Sequence, residues 1–289
     1  MLKSNGFYAI IDVANRKAVN FMAEKNLTVG ADSKNFCFTV DDNIRFLKEL
    51  NEGSYPDIFS HPYLRMYRRL HEKYALKVQL NLFYESGDFD LSKMTDKYRS
   101  EWLESSDWLK LSFHSRLENV KPYQSSGYGE VFEDCQNVHR EVLRFASLPS
   151  LAKTTTVHYC LATSEGLSAL KDNGVCGLLG LYGTPESPRS SYQSTPEEDI
   201  LLRGGQAISS GGMMYSAIDI ILNCHNESEI LRRLDGLSQR DLIKVMIHEQ
   251  YFYPDYPSYQ PNFEEKLNIT FSYLKEKGYG SIFFEDLLP

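Results

Sequence analysis

The sequence predicts an α/β barrel of seven or eight parallel strands, and three observations carry that prediction. Short apolar runs alternate with segments of helical spacing along most of the chain, the pattern of a parallel sheet with crossover helices. Several runs are almost continuously apolar, as strands buried on both faces read. The 289 residues suit one barrel, and no linker or repeat divides them, so residues 1–289 read as a single domain.

In chain order, residues 36–40 form the first strand and 44–50 its helix. A helix over 63–74 leads into a strand over 76–84, followed by a strand over 108–113 and a helix over 130–145. A strand over 154–161, a helix over 166–173 and strands over 175–182 and 214–222 come next. The series closes with a helix over 227–234, a strand over 242–248, a helix over 263–277 and a strand over 281–284. Ahead of it, residues 6–21 alternate apolar and polar side chains around Ala14-Asn15-Arg16 and read as an added hairpin. Residues 183–199 form a polar loop rich in Pro and Ser, long enough for a lid. Residues 250–261 crowd five aromatic rings among three prolines directly after the strand over 242–248.

Composition excludes several functions. A formal charge of −8, from 31 basic and 39 acidic side chains, offers no basic face for nucleic acid and no attraction to anionic lipid. The N-terminus lacks the apolar run of a signal peptide, and no stretch is long enough to span a bilayer. The chain therefore reads as soluble and cytoplasmic; its oligomeric state is not legible. Cys37, Cys135, Cys160, Cys176 and Cys224 show no CxxC spacing and read as free thiols. Neither GxGxxG nor GxxxxGK[ST] occurs, so no nucleotide fold is indicated.

The active face of such a barrel lies at the C-terminal ends of its strands, and ionisable residues gather there. Asp41-Asp42 ends the first strand. One carboxylate could cap the following helix, but a cap does not explain two. His114 ends the strand over 108–113, and Glu118 would share its face if a helical turn began at Ser115. His158 lies late in the strand over 154–161, and His248-Glu249 closes 242–248. His61, His71, His139 and His225 fall in helices or polar loops and read as surface residues.

These residues carry a resemblance. The segment FTVDDN over 38–43 resembles the TFDDG motif of the polysaccharide deacetylases (carbohydrate esterase family four). SFHSRLE over 112–118 resembles that family's H-[ST]-x-x-H motif, with Glu118 in place of the second histidine, and IHE over 247–249 resembles its last motif. The resemblance implies a distorted seven-stranded barrel with Asp41 as base, His248 as general acid, and Asp42 and His114 as metal ligands. Glu118 or His158 would complete the ligand set; His158 stands roughly where the family carries a base-orienting arginine. Zinc is the expected cofactor, with manganese, iron, cobalt or nickel also compatible. The implied activity is hydrolysis of a carbon–nitrogen bond other than a peptide bond, in an N-acetylated sugar or a small-molecule amide.

Arg116, Glu249, Tyr251 and Tyr253 are the candidate substrate contacts. The tyrosines suit a sugar ring, and would equally pack the last helix onto the barrel. Two other readings stay open. One is a glycoside hydrolase using Asp41 with Glu118 or Glu249; the other is a non-catalytic carbohydrate-binding protein on a degenerate barrel.

Overall fold

The computed structural model describes residues 34–118, 122–183 and 189–288, and the expected hairpin over 6–21 lies outside them. The described chain belongs to one unit, Lys34–Pro289. Its first strand, β1 (Asn35–Asn43), is buried along nearly its whole length. Its even-numbered residues Phe36 and Phe38 pack outward on Phe271, with ring centroids 5.6 and 5.0 Å apart. Odd-numbered residues face the opposite side of the sheet, as the two-residue period of a strand requires, and that side carries Asp41.

The helices follow from their apolar stripes. In α1 (Arg45–Glu52) the buried positions are Phe46, Leu47 and Leu50. In α2 (Pro62–Tyr74), Pro62 occupies the first turn, where its missing N–H costs nothing, and Tyr63, Leu64, Met66, Tyr67, Leu70 and Tyr74 are buried. These spacings of three and four place one face of each helix on the sheet.

The remaining elements are β2 (Val78–Ser86), β3 (Phe89–Asp90), α3 (Arg99–Glu104), β4 (Leu109–Leu117), α4 (Tyr128–Phe145), β5 (Thr154–Thr155), α5 (Ser164–Asp172), β6 (Gly177–Gly180), α6 (Pro196–Arg203), β7 (Ala207–Ser210), β8 (Met213–Ala217), β9 (Ile220–Ile221), α7 (Glu227–Leu237), β10 (Leu242–His248), α8 (Phe263–Glu276) and β11 (Gly280–Ser281). One sheet runs β3-β2-β1-β10-β9, with β4 on β2 and β11 on β1; a second runs β5-β6-β8-β7. All pairings are parallel except β2 with β3 and β7 with β8.

Of the expected barrel, the structure shows a mixed α/β fold of two sheets, with no closed ladder among the described residues. The sheets meet at two places. A parallel bridge joins Leu111 to Leu151. At the other seam, Ile218 N–H donates to the Gly180 carbonyl at 2.8 Å, and Asp219 N–H to that of Lys244 at 2.9 Å. The strand expected over 154–161 stops at Thr155, and beyond it Tyr159 and Cys160 take left-handed conformations, φ 60° and 56°. The strand expected over 214–222 splits where it changes partner between Ala217 and Ile220. The strand expected over 281–284 is reduced to β11, and residues 284–287 turn into a 3-10 helix.

The expected lid over 183–199 contains the start of α6, secured by a capping box between Thr195 and Glu198; residues 184–188 lie outside the description. No helix among the described residues is long and apolar enough to cross a membrane. All five cysteines are free thiols. The expectation that His61 is a surface residue is corrected: it is 1% exposed, and its Nε2 lies 2.8 Å from Glu49 Oε2.

Candidate metal centre

Two β-bulges build the site. Between Val40 and Asn43, β1 advances three residues while β2 advances only from Leu80 to Leu82. The additional residue re-aims the chain at Asp41-Asp42, and Asp42 takes φ 62°, an uncommon backbone for a residue with a Cβ. In β4, Leu82 and Phe83 face Phe113 and Ser115, so His114 is the residue left over. Bulges bend a strand and redirect a side chain that regular pleating would place elsewhere. His158 is delivered by the left-handed turn at Tyr159 and Cys160. Irregular backbone thus positions all three groups.

Their side chains converge. His114 Nε2 lies 3.0 Å from Asp42 Oδ1 and 3.0 Å from His158 Nδ1, and His158 Nδ1 lies 3.2 Å from Asp42 Oδ1. These residues form a group whose ligand atoms could hold one metal ion. A triangle with such sides admits a common point about 2.0–2.1 Å from each corner, the usual zinc–nitrogen and zinc–oxygen range. His114 Nδ1 faces the Thr156 carbonyl, which assigns it the proton and leaves Nε2 as the liganding lone pair. His158 Nε2 is buried without a hydrogen-bond partner among the described residues. Phe83 packs on both imidazoles, with centroids 5.2 and 5.0 Å away, and supplies an apolar wall.

Electrostatics separate the two aspartates. Burial would raise the Asp42 carboxyl, but hydrogen bonds from His114 and His158 outweigh it and hold the group well below the usual range. Asp41 is raised, because burial dominates over the charges of His114 and His248. Its Oδ1 accepts a 2.7 Å hydrogen bond from Asn81, a neutral donor. His114 is raised: burial opposes its charging, but Asp41 and the Asp42 hydrogen bond favour it more. His158 is lowered, chiefly by burial. One neighbouring carboxylate is thus ionised and the other is a stronger base.

The helix-cap reading of Asp41-Asp42 is set aside. The carboxylate of Glu249 accepts from the Ile44, Arg45 and Phe46 amides at 2.7, 3.1 and 2.8 Å, so α1 is capped from another strand. Glu249 is buried, also accepts from Tyr253 Oη at 2.8 Å, and is raised to about 7 by burial against those four hydrogen bonds. Tyr253 is likewise buried, under the Arg45 guanidinium at 3.9 Å.

His248 stands in register with Asp41 across the β1–β10 pairing. Its Nδ1 lies 2.9 Å from Asn223 Oδ1, which directs Nε2 to any other partner, and Tyr251 stacks at a tilt 6.2 Å away. Glu118 lies outside the converging group, because β4 continues as a strand through Leu117 where a helical turn was expected. It is near enough that burial and the Asp42 charge raise its carboxyl. Arg116 is exposed and paired with Glu85 at 3.1 Å.

Asn81, Gln250, Asn223 and Phe83 escaped the sequence reading. A signal existed for the first: Gln79 and Asn81 are polar residues two apart inside an otherwise apolar run, which places both on one face of the strand.

No family model matches the chain, and no curated protein matches it. Among solved structures it is similar to a 4-alpha-glucanotransferase from Thermococcus litoralis, with TM-score 0.53 and 13% identity, covering 88% of this chain and 40% of that one. It is similar to a putative cellobiose-phosphate cleavage protein from Enterococcus faecalis, with TM-score 0.50 and 10% identity, covering 89% and 99%. A CE4-family pseudoenzyme from Bacillus anthracis aligns with TM-score 0.48 and 11% identity, covering 89% and 66%. The chain spans about two thirds of the pseudoenzyme and two fifths of the glucanotransferase. At such identities the likeness concerns the fold alone.

Proposed function

We propose that this protein is a metal-dependent hydrolase on a distorted barrel of the polysaccharide-deacetylase type, cleaving the amide of an N-acetylated sugar or a related small molecule. The observation that carries the reading is the convergence of Asp42 Oδ1, His114 Nε2 and His158 Nδ1 within 3.2 Å of one another. One carboxylate and two imidazoles suit zinc first, and manganese, iron, cobalt or nickel as well. His158 rather than Glu118 then completes the set.

A divalent cation held there supplies Lewis acidity to the acyl oxygen and makes water easier to deprotonate. The residues of the chain do the rest. Asp41, buried and raised, takes a proton from the attacking water, and Asn81 keeps its carboxylate aimed. As the water oxygen bonds to the acyl carbon and the C–N bond breaks, His248 donates a proton from Nε2 to the departing amine. The products are a carboxylic acid and a free amine. Tyr251 offers a half-buried ring beside His248, suited to the apolar face of a sugar. The glycosidase alternative loses one of its carboxylates, since Glu249 is engaged by three backbone amides.

The test is calorimetric titration of the purified chain with zinc, followed by assay of acetate release from N-acetylglucosamine oligomers. The expected result is one equivalent of cation and measurable acetate, with Asp41→Asn keeping the cation and losing turnover. Uptake below about a tenth of an equivalent would overturn the reading.

A further inference from the structure

Three consecutive residues at the end of β10 grip the turn that carries Asp41 and Asp42. His248 is the register partner of Asp41. Glu249 binds the Ile44, Arg45 and Phe46 amides just beyond that turn. Gln250 Nε2 donates to Asp42 Oδ2 at 2.7 Å. The two oxygens of Asp42 are thereby divided: Oδ1 faces His114 and His158, and Oδ2 is occupied by Gln250.

We infer that Gln250, with Glu249 anchoring the turn beside it, is a positioning residue that sets the cation affinity of Asp42. The inference rests on the reading that Asp42, His114 and His158 hold a cation. Four observations support it. Asp42 has φ 62°, a conformation that persists only when its surroundings over-determine it. A carboxylate is otherwise free to rotate and to offer either or both oxygens; a donor fixed on Oδ2 leaves Oδ1 as the single liganding atom. The Gln250 side chain makes no other hydrogen bond among the described residues, and its Oε1 is buried without a partner. Its amide is therefore oriented by Asp42 alone, and a side chain serving general packing would not need it. Finally, the Thr156 carbonyl does the same for His114 by holding its Nδ1. Two of the three candidate ligands thus have a fixed orientation, and in Asp42 the agent is Gln250.

Gln250→Leu and Gln250→Met both fill the volume without a donor and do not add charge. Zinc affinity of each, measured by competition with a chromophoric chelator, is expected to fall about 10–100-fold. Far-UV circular dichroism of the cation-free variants should match the unsubstituted protein, with the thermal midpoint lowered by the hydrogen bond lost from a buried carboxylate. The visible absorption of the cobalt-loaded variants should also change, because a carboxylate released from Gln250 can bind through both oxygens. Loss of packing alone would leave the cobalt spectrum intact. Zinc affinity within twofold of the unsubstituted chain in either folded variant overturns the inference while leaving the cation site standing. Failure of the unsubstituted chain to bind zinc or cobalt overturns both.

Discussion

Beside the starts of β4, β5, β9 and β10, buried carboxylates meet permanent cations; at the end of β1 they do not. Asp219, whose side chain is 2% exposed, pairs with Lys244 Nζ at 2.9 Å and with Arg240. Glu285 pairs with Lys110 and accepts from the Lys153 amide. Asp41 and Asp42 are bonded instead to Asn81, Gln250, His114 and His158, and no Lys or Arg among the described residues hydrogen-bonds to either. Charge buried away from water must be balanced or neutralised. One end is balanced by the chain itself. At the other, the balance is left to protons on imidazole or to a cation that the Asp42, His114 and His158 group could hold.

Substitution at the open end should produce the largest effect. Asp42→Ala, His114→Ala and His158→Ala are each expected to abolish zinc uptake in an elemental assay, whereas Glu118→Ala retains it. Loss of uptake in Glu118→Ala would mean that the ligand set is wrongly drawn. At the closed end, Lys244→Met should keep zinc uptake and lower unfolding free energy in urea by about 3–5 kcal/mol, because it strips one cation from a buried carboxylate. Equal effects of Asp42→Ala and Lys244→Met on stability would erase the contrast.

Glu249 gives an intermediate test, through pH. Its folded value, raised from 4.5 to about 7, lies above its unfolded one. Its contribution is therefore fully present below about pH 4.5 and is lost as pH rises through 7. The difference in urea stability between the unsubstituted chain and Glu249→Gln should change by about 3 kcal/mol between pH 4 and pH 8. A flat difference would place the carboxylate at its ordinary value. The smallest effect belongs to the exposed Arg68–Glu72 pair, 3.1 Å apart, where Arg68→Ala should shift stability by under about 0.5 kcal/mol.

The sequence by itself determined the kind and order of most elements and the segment ends where ionisable residues gather. Apolar periodicity reports which face of a segment must leave water, and that constraint is local. It placed β1, β2, β4, β10 and the helices α1, α2, α4, α5, α7 and α8 to within a few residues, and it missed α3 and α6. It also singled out Asp41, Asp42, His114, His158 and His248 as residues at strand ends, because polar groups closing apolar runs stand out along the chain. Only the tertiary structure decided how they meet. The bulges at Asp42 and His114 depend on strand partners about thirty to forty residues away, so no local pattern announces them. The meeting of His158 rather than Glu118 with Asp42 and His114, the capping of α1 by Glu249 and the grip of Gln250 on Asp42 all arise where distant segments come side by side. The division into two sheets has the same origin: a strand changes hydrogen-bond partner where its neighbours diverge, and neighbours are a property of the fold.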